Sequence, residues 1–272
     1  LRGEIVVNTD ASIRIEPSAL KRLIAVFSDP SIGAASGRDV SVAREGGRAN
    51  AGEAGYVGYE MRVRSLETRV AGIVGASGCF YAIRSHLHRV PLPEWLSRDF
   101  AAAMIAARHG YRAVSVDAAV CFVPRTTSLA REYRRKVRTM SRGMQTMHHM
   151  RHLLNPVRYG WFAWMLFSHK ICRWAVPWSG VGFLAGLALL SPTTPWAAWG
   201  TAACLVGLLG CSLAWLAARE QPRASAVTLA AYLLAGNVAA LHATIDALRG
   251  DRMATWEPTR RTAVHATAGR TG

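Results

Sequence analysis

Two acidic residues occupy positions at which an α/β protein could use them for chemistry, and the first is Asp10. It follows the β-branched run Ile5-Val6-Val7, which predicts a buried strand, and Pro17 then opens a predicted amphipathic helix. An acid at the carboxyl end of a central strand lies where α/β sheets bind their ligands. A turn aspartate can also bond to its own backbone, so the local pattern leaves both roles open at Asp10.

The second acid, Asp99, comes two residues after Ser97, at the start of a helix predicted over Phe100–His109. The dipole of a helix favours an anion in its first turn. The carboxylate could therefore cap the helix or serve as a general base. The local pattern does not separate these two roles.

A glycine-rich turn lies between the two acids in the chain. Its small residues would allow the backbone to approach a ligand closely, and they are Gly75, Ala76, Ser77 and Gly78. Upstream, a flexible loop is predicted over 44–55 and a helix over Tyr56–Val70. That helix carries Glu60 and Arg64 at i,i+4 spacing, which we interpret as a solvated ion pair.

The composition divides the chain into a charged part and an apolar part. The 272 residues carry a formal net charge of +16, but 175–248 is almost uncharged and rich in Ala, Leu, Gly and Trp. Two membrane spans are predicted at roughly 175–191 and 196–218. The segment 224–248 is weaker because it contains polar residues, so whether it spans, re-enters or packs against protein stays open.

Basic residues precede the apolar part on a helix predicted over Ser128–Met150. Their charges indicate a membrane-interfacial face or a clamp for a diphosphate, and they are Arg131, Arg134, Arg135, Lys136, Arg138 and Arg142. The Ser168-His169-Lys170 segment and Arg173 continue this pattern as basic residues that snorkel to a membrane surface. No zinc-finger, RNP or helix-turn-helix pattern accompanies the charge, so nucleic acid is not an expected partner.

Histidines and cysteines do not form a recognisable metal site in the sequence. His148, His149 and His152 have no acidic neighbour, and we interpret them as part of a Met-rich amphipathic surface. The cysteines form no Cys-x-x-Cys pair and indicate buried thiols in a reducing compartment; they are Cys79, Cys121, Cys172, Cys204 and Cys211.

The order of these motifs resembles that of the inverting, membrane-associated glycosyltransferases of family 2, the group that includes bacterial polysaccharide synthases. The resemblance lies in Asn8–Ser12, Gly75–Arg84, Asp99-Phe100, Gly110–Arg112, Arg135–Arg138, Arg142-Gly143, Ser168–Lys170 and Trp256–Arg260. It implies a partial GT-A-like (Rossmann-like) α/β sheet with flanking helices, followed by α-helical transmembrane segments. It also implies that the part of such an enzyme that binds the nucleotide base would lie upstream of Leu1.

The resemblance assigns roles to individual residues. Asp10 matches the first acid of the family's Asp-x-Asp motif and Ser12 stands in place of the second, which implies donor binding there and Mg²⁺ or Mn²⁺ on Asp10. Asp99 matches the catalytic base. Arg142 matches the arginine of the family's Gln-x-x-Arg-Trp motif. Binding of the diphosphate and acceptor is implied for Arg138, Arg142, Gly75, Ser77 and Gly78.

The implied protein is a hexosyltransferase of the bacterial inner membrane that takes part in polysaccharide biosynthesis for the cell envelope. A UDP-sugar is the expected donor and a glycan or lipid-linked molecule the acceptor, with membrane lipid and other subunits of a synthesis complex as further partners. The expected divisions are a cytoplasmic catalytic part (1–127), interfacial helices (128–174), two or three transmembrane helices (175–248) and a basic cytoplasmic tail (249–272). The alternatives are a non-catalytic accessory protein and a basic protein that binds anionic lipid or polymer.

Overall fold

The computed structural model describes residues 3–42, 51–124, 129–218 and 226–251. Its N-terminal part contains a five-stranded sheet and its C-terminal part is helical. The strands are β1 (Ile5–Thr9), β2 (Arg14–Ile15), β3 (Ile32–Val42), β4 (Phe80–Arg84) and β5 (Arg112–Pro124). The prediction of an α/β sheet followed by apolar helices is confirmed.

Helices flank the sheet and then continue to the end of the described chain. They are α1 (Ala19–Ala25, extended by a 3-10 turn over Val26–Ser28), α2 (Ala51–Val70), α3 (Ser85–His88), α4 (Arg98–Arg108), α5 (Leu129–His149), α6 (Pro156–Leu166), α7 (Arg173–Leu190), α8 (Pro195–Ala218) and α9 (Ala226–Arg249). A 3-10 turn over Arg151–Leu154 precedes α6, and a π-helical turn over Phe167–Cys172 joins α6 to α7. The loop predicted over 44–55 is wrong for 51–55, which already belong to α2, and 44–50 lie outside the described residues.

The strand order in the sheet is β1-β4-β3-β5-β2. β4 runs antiparallel to both β1 and β3, and β3 runs parallel to β5. The carboxyl ends of β1, β3 and β5 therefore lie at the same end of the sheet as the amino end of β4. β1 is an edge strand of the described sheet and is only partly buried, so the prediction of a buried central strand at Ile5-Val6-Val7 is wrong.

Each face of the sheet has its own apolar core. On one face α1 packs Leu23 and Phe27 against Ile32 and Phe80, and full burial of one such side chain stabilises the fold by about 1.5–3 kcal/mol. The other face is covered by α4, whose alanines allow close packing, and by Leu166 of α6. The sheet and α4, which belong to the catalytic part predicted from the sequence, therefore pack against the segment that leads into the apolar helices.

Within the part of the chain that the structure describes, three helical segments are long and apolar enough to cross a membrane: Pro156–Leu190, Pro195–Ala217 and Leu229–Arg249. α9 packs along α5 through small residues, with Ala239 and Ala243 against Val137. Among the alternatives for 224–248, the structure therefore shows a helix that packs on protein and is also long enough to span.

Candidate active site

The turn after β1 and the turn before β4 are joined by a backbone hydrogen bond. Asp10 N–H donates to the carbonyl of Cys79 at 3.0 Å. The Asp10 carboxylate is exposed, and its Oδ1 accepts the N–H of Ser12 at 3.2 Å, an arrangement typical of a turn aspartate. This bond uses one carboxylate oxygen, so the turn geometry and a ligand role for Oδ2 are compatible.

Asp99 lies in the first turn of α4 and faces the glycine-rich turn. A Cβ added to Gly78 would stand 2.6 Å from Asp99 Oδ2, which places the carboxylate directly against the backbone of the turn. Its Oδ1 accepts a hydrogen bond from Ser97 Oγ at 2.5 Å. Ser97 is the N-cap of α4, yet its side chain makes no capping hydrogen bond. The local contacts of Asp99 thus orient its carboxylate toward the sheet end.

A glycine at position 75 is required by the packing of α4. A Cβ at Gly75 would stand 2.8 Å from Phe100 Cδ2, so only glycine leaves room for that ring. Ser77 is buried; its N–H donates to Ser36 Oγ at 2.9 Å and its hydroxyl donates to Asp39 Oδ2 at 2.6 Å. The sequence predicts that a ligand approaches the backbone of this turn closely. In the structure, side chains of α4 make that close approach.

Arg142 of α5 fixes the loop that leads into α4. Its guanidinium donates to the carbonyls of Glu94, Trp95 and Leu96 at 2.6–3.2 Å. One turn further along α5, Thr146 Oγ1 accepts the N–H of Ser97 at 2.9 Å. The structure therefore gives Arg142 a positioning role beside the diphosphate role expected from the sequence.

Arg138, the other predicted diphosphate ligand, lies one helical turn before Arg142 on α5 and is half-buried. The sheet end thus brings together the turns that contain Asp10 and Gly78 with the carboxylate of Asp99. Arg142 adjoins this group through the loop it binds.

A buried ion cluster lies beside the turn, and the sequence interpretation missed it. Glu60 and Glu67 of α2 face His169, Lys170 and Arg173 of the π-helical turn and α7. The shortest contact joins His169 Nδ1 to Glu67 Oε1 at 2.6 Å. The two carboxylates are seven residues apart in α2, a spacing that places them on one face of a helix and was the available signal.

Two predictions about this cluster are wrong. Glu60 and Arg64 are 7% and 8% exposed, so they are not a solvated pair. The side chains of His169 and Lys170 are 7% and 14% exposed, so they do not snorkel to a surface. Burial alone would raise the pKa of Glu60, but the charges of Lys170, His169 and Arg64 hold that pKa well below its ordinary value.

Tyr81 of β4 has a strongly perturbed hydroxyl near the candidate base. Burial raises the pKa of Tyr81, and the negative charge of Asp99 raises it further. The phenol therefore stays protonated throughout the physiological range. Opposite it in the sheet register stands Asn8 of β1.

The described residues contain no group of three His, Cys, Asp or Glu side chains that could hold a metal ion. A magnesium ion in proteins commonly takes one or two carboxylates and completes its shell with water and substrate phosphates. Asp10 is an exposed carboxylate with one oxygen outside its turn hydrogen bond. Its chemistry fits a Mg²⁺ or Mn²⁺ ion that arrives with a diphosphate.

An apolar cavity of about 660 Å³ lies behind the loop that Arg142 binds. Trp95 and Leu96 of that loop line one side, and Trp174 and Trp178 of α7 line another. The cavity therefore connects the loop before Asp99 with the first of the membrane-length helices.

No family model and no curated protein matches this sequence. Among solved structures, the fold is similar to that of a mannosyltransferase from Pyrobaculum calidifontis in complex with GDP-Man and Mn²⁺, with a TM-score of 0.61 and 18% sequence identity. The match covers 92% of this chain and 64% of that one. The chain thus spans a little under two thirds of the length of the mannosyltransferase and shares its fold over that part.

Proposed function

We propose that this protein is a membrane-bound glycosyltransferase of hexosyl type, which transfers a sugar from a nucleotide-sugar donor to a polysaccharide or lipid-linked acceptor with inversion. The observation that carries this proposal is the convergence of Asp10, Gly78 and Asp99 at one end of the sheet. The fold shared with a solved mannosyltransferase supports it. The resemblance to family 2 and a GT-A-like catalytic domain form part of the same proposal.

Asp99 is the proposed catalytic base. Its carboxylate takes the proton of the acceptor hydroxyl while the acceptor oxygen bonds to C1 of the donor sugar. The bond from C1 to the diphosphate oxygen breaks on the opposite face, its electron pair leaves with the nucleoside diphosphate, and the configuration at C1 inverts. The hydrogen bond from Ser97 Oγ orients the carboxylate for this transfer, and a positioned base of this kind contributes about 10²–10⁴-fold in rate.

Asp10 and Ser12 are the proposed donor-binding pair. Asp10 would hold the Mg²⁺ or Mn²⁺ ion, and Ser12 would contribute to binding of the donor. When bound, the ion supplies positive charge that neutralises the departing diphosphate. Arg138 and Arg142 are the proposed further cations near the phosphates, and the turn that contains Gly75, Ser77 and Gly78 forms the floor of the site.

The apolar cavity supports a lipid-linked acceptor in particular. Its tryptophan lining adjoins the loop before Asp99 on one side and α7 on the other. An acceptor anchored in a membrane could place its hydrocarbon near α7 and its hydroxyl near Asp99. A position in the bacterial inner membrane, with the sheet on the cytoplasmic side, is the matching proposal for location.

The test is a donor panel applied to the full-length protein in isolated membranes. Radiolabelled UDP-sugars and GDP-mannose are supplied with Mg²⁺ or Mn²⁺, and both incorporation into lipid or polymer and binding of the nucleotide sugar are measured. Incorporation from one donor supports the proposal and names the sugar. Absence of both incorporation and binding with every donor contradicts it and supports the accessory-protein alternative.

A further inference from the structure

The buried ion cluster joins two parts of the chain that are more than a hundred residues apart. Glu60 accepts hydrogen bonds from Lys170 Nζ at 3.2 Å and from Arg173 at 3.0 Å. Glu67 is bound by His169 at 2.6 Å and also accepts the N–H of Val74 at 3.3 Å. The cluster therefore links α2, the residue that precedes the glycine-rich turn and the beginning of α7.

The π-helical turn over Phe167–Cys172 is the local feature that makes this arrangement possible. A π-helical turn holds more residues per turn than an α-helix, and such turns occur frequently at functional sites. Here His169 and Lys170 are adjacent in sequence, yet both reach the carboxylate of Glu60.

Lys170 also contacts the beginning of α4, where Asp99 lies. Its Nζ stands 5.8 Å from the centre of the Phe100 ring, within the range of a cation–π interaction. The same ring meets Trp174 edge-on, with 6.4 Å between the ring centres. Phe100 directly follows Asp99, and its ring packs against Gly75. The position of this ring therefore determines the position of Asp99, the candidate base.

A stability role alone is a weak explanation for these charges. Removing several charges from water is costly, and replacing buried ion pairs with well-packed apolar residues is often neutral or stabilising. Two contacts restrict where the Lys170 ammonium can lie: it donates a hydrogen bond to Glu60, and it faces the Phe100 ring.

We propose that Lys170 is a positioning residue for Asp99: Glu60 fixes its ammonium, and the ammonium and Trp174 together fix Phe100 and the first turn of α4. The inference rests on the proposed role of Asp99 as base. It also makes the activity of the sheet-containing part depend on the position of the first membrane-length segment, Pro156–Leu190.

The experiment compares Lys170→Met with Lys21→Met, which removes the same charge from an exposed position on α1. In membranes, Lys170→Met is expected to lower kcat by about 10- to 100-fold, as expected for a misplaced catalytic group, while the KM for the donor changes little. Lys170→Arg should recover much of the lost rate because it keeps the positive charge. The Glu60→Gln/Lys170→Met double variant should transfer sugar no more slowly than the slower of the Glu60→Gln and Lys170→Met single variants, because both changes break the same contact between Glu60 and Lys170.

A second measurement does not depend on activity. The start of α4 is held by hydrogen bonds of the Ser97 N–H to Thr146 Oγ1 and of the Ala101 N–H to the Ser97 carbonyl. The rate at which these amides exchange for deuterium, followed by peptide mass spectrometry, therefore reports how firmly the first turn of α4 is held. Lys170→Met should speed this exchange several-fold, and Lys21→Met should leave it unchanged.

Unchanged deuterium labelling of the first turn of α4 in Lys170→Met, or a kcat equal to that of Lys21→Met, would overturn the positioning role. If the wild-type protein transfers no sugar, the proposed function fails, while the labelling measurement still decides whether Lys170 positions the start of α4.

Discussion

The carboxylate of Asp99 lies directly against Gly78, with Oδ2 only 2.6 Å from the position that a Cβ would occupy. A Cβ essentially never comes so near a heavy atom, so any side chain at position 78 must displace the Asp99 carboxylate, α4 or the turn. Only glycine at position 78 therefore leaves the Asp99 carboxylate where it lies. This contact, together with the backbone bond from Asp10 to Cys79, defines the geometry of the proposed site.

Gly78→Ala is therefore expected to move the Asp99 carboxylate and to lower the rate of sugar transfer by about 10- to 100-fold. The matched control is Gly58→Ala on α2, where an added Cβ would meet nothing within 4 Å. Transfer rates in membranes and melting temperatures in detergent are measured for both variants. Equal activity of the two alanine variants would show that the contact does not set the position of the base.

Arg142→Lys should loosen the attachment of the loop before α4 to α5, because lysine cannot form the hydrogen bonds that one guanidinium donates to three carbonyls. Loss of these bonds is expected to lower the free energy of unfolding by about 1–3 kcal/mol and to reduce kcat. Arg134→Lys, at an exposed position on the same helix, is the control. A raised donor KM with kcat unchanged would instead indicate the diphosphate role alone.

Metal dependence should respond to both positions of the donor-binding pair. Asp10→Asn removes the proposed carboxylate ligand and should raise the Mn²⁺ concentration needed for half-maximal transfer by about tenfold, because affinity follows the number of charged oxygen ligands. Ser12→Asp adds a carboxylate and should lower that concentration. A manganese titration that is identical in the wild type and both variants would exclude a metal at this turn.

Much of the fold could be predicted from local patterns, because the signals are local. The run at Ile5-Val6-Val7 does form a strand, the segment after Ser97 does form α4, and the apolar segments do form helices of membrane length. Which strand lies at the edge could not be predicted, because antiparallel pairing of β1 with β4 depends on residues some seventy-five positions apart.

The ion cluster shows the same limit more sharply. Glu60 and Arg64 have the spacing of a surface pair, and the seven-residue spacing of Glu60 and Glu67 indicates a shared helix face but not that this face is buried. Their environment is set by Lys170, which lies 110 residues from Glu60. Likewise, the glycines at 75 and 78 indicated close approach, but only the tertiary structure shows that α4 makes it.

Protonation of Glu60 should destabilise the fold in acid. Its pKa in the folded protein lies well below the ordinary value of 4.5, so its contribution to stability is present above that ordinary value and is lost as the pH falls through the folded pKa. Glu60→Gln cannot titrate, so its melting temperature should fall less steeply in acid. The comparison is a set of thermal unfolding curves over this pH range, with Glu94→Gln as the exposed control. If the melting temperature fell equally with pH in the wild type, Glu60→Gln and Glu94→Gln, the lowered pKa of Glu60 would be contradicted.

Asp99→Asn removes the carboxylate that is proposed to act as the base of the sugar transfer. Full-length protein in membranes is assayed for transfer from its preferred nucleotide sugar and, separately, for binding of that donor, with Glu94→Gln from the same loop as control. We expect Asp99→Asn to lose about 10²–10⁴-fold in transfer and to retain donor binding, while the control behaves as wild type. Transfer by Asp99→Asn at the wild-type rate would contradict the proposed role of Asp99 as the base.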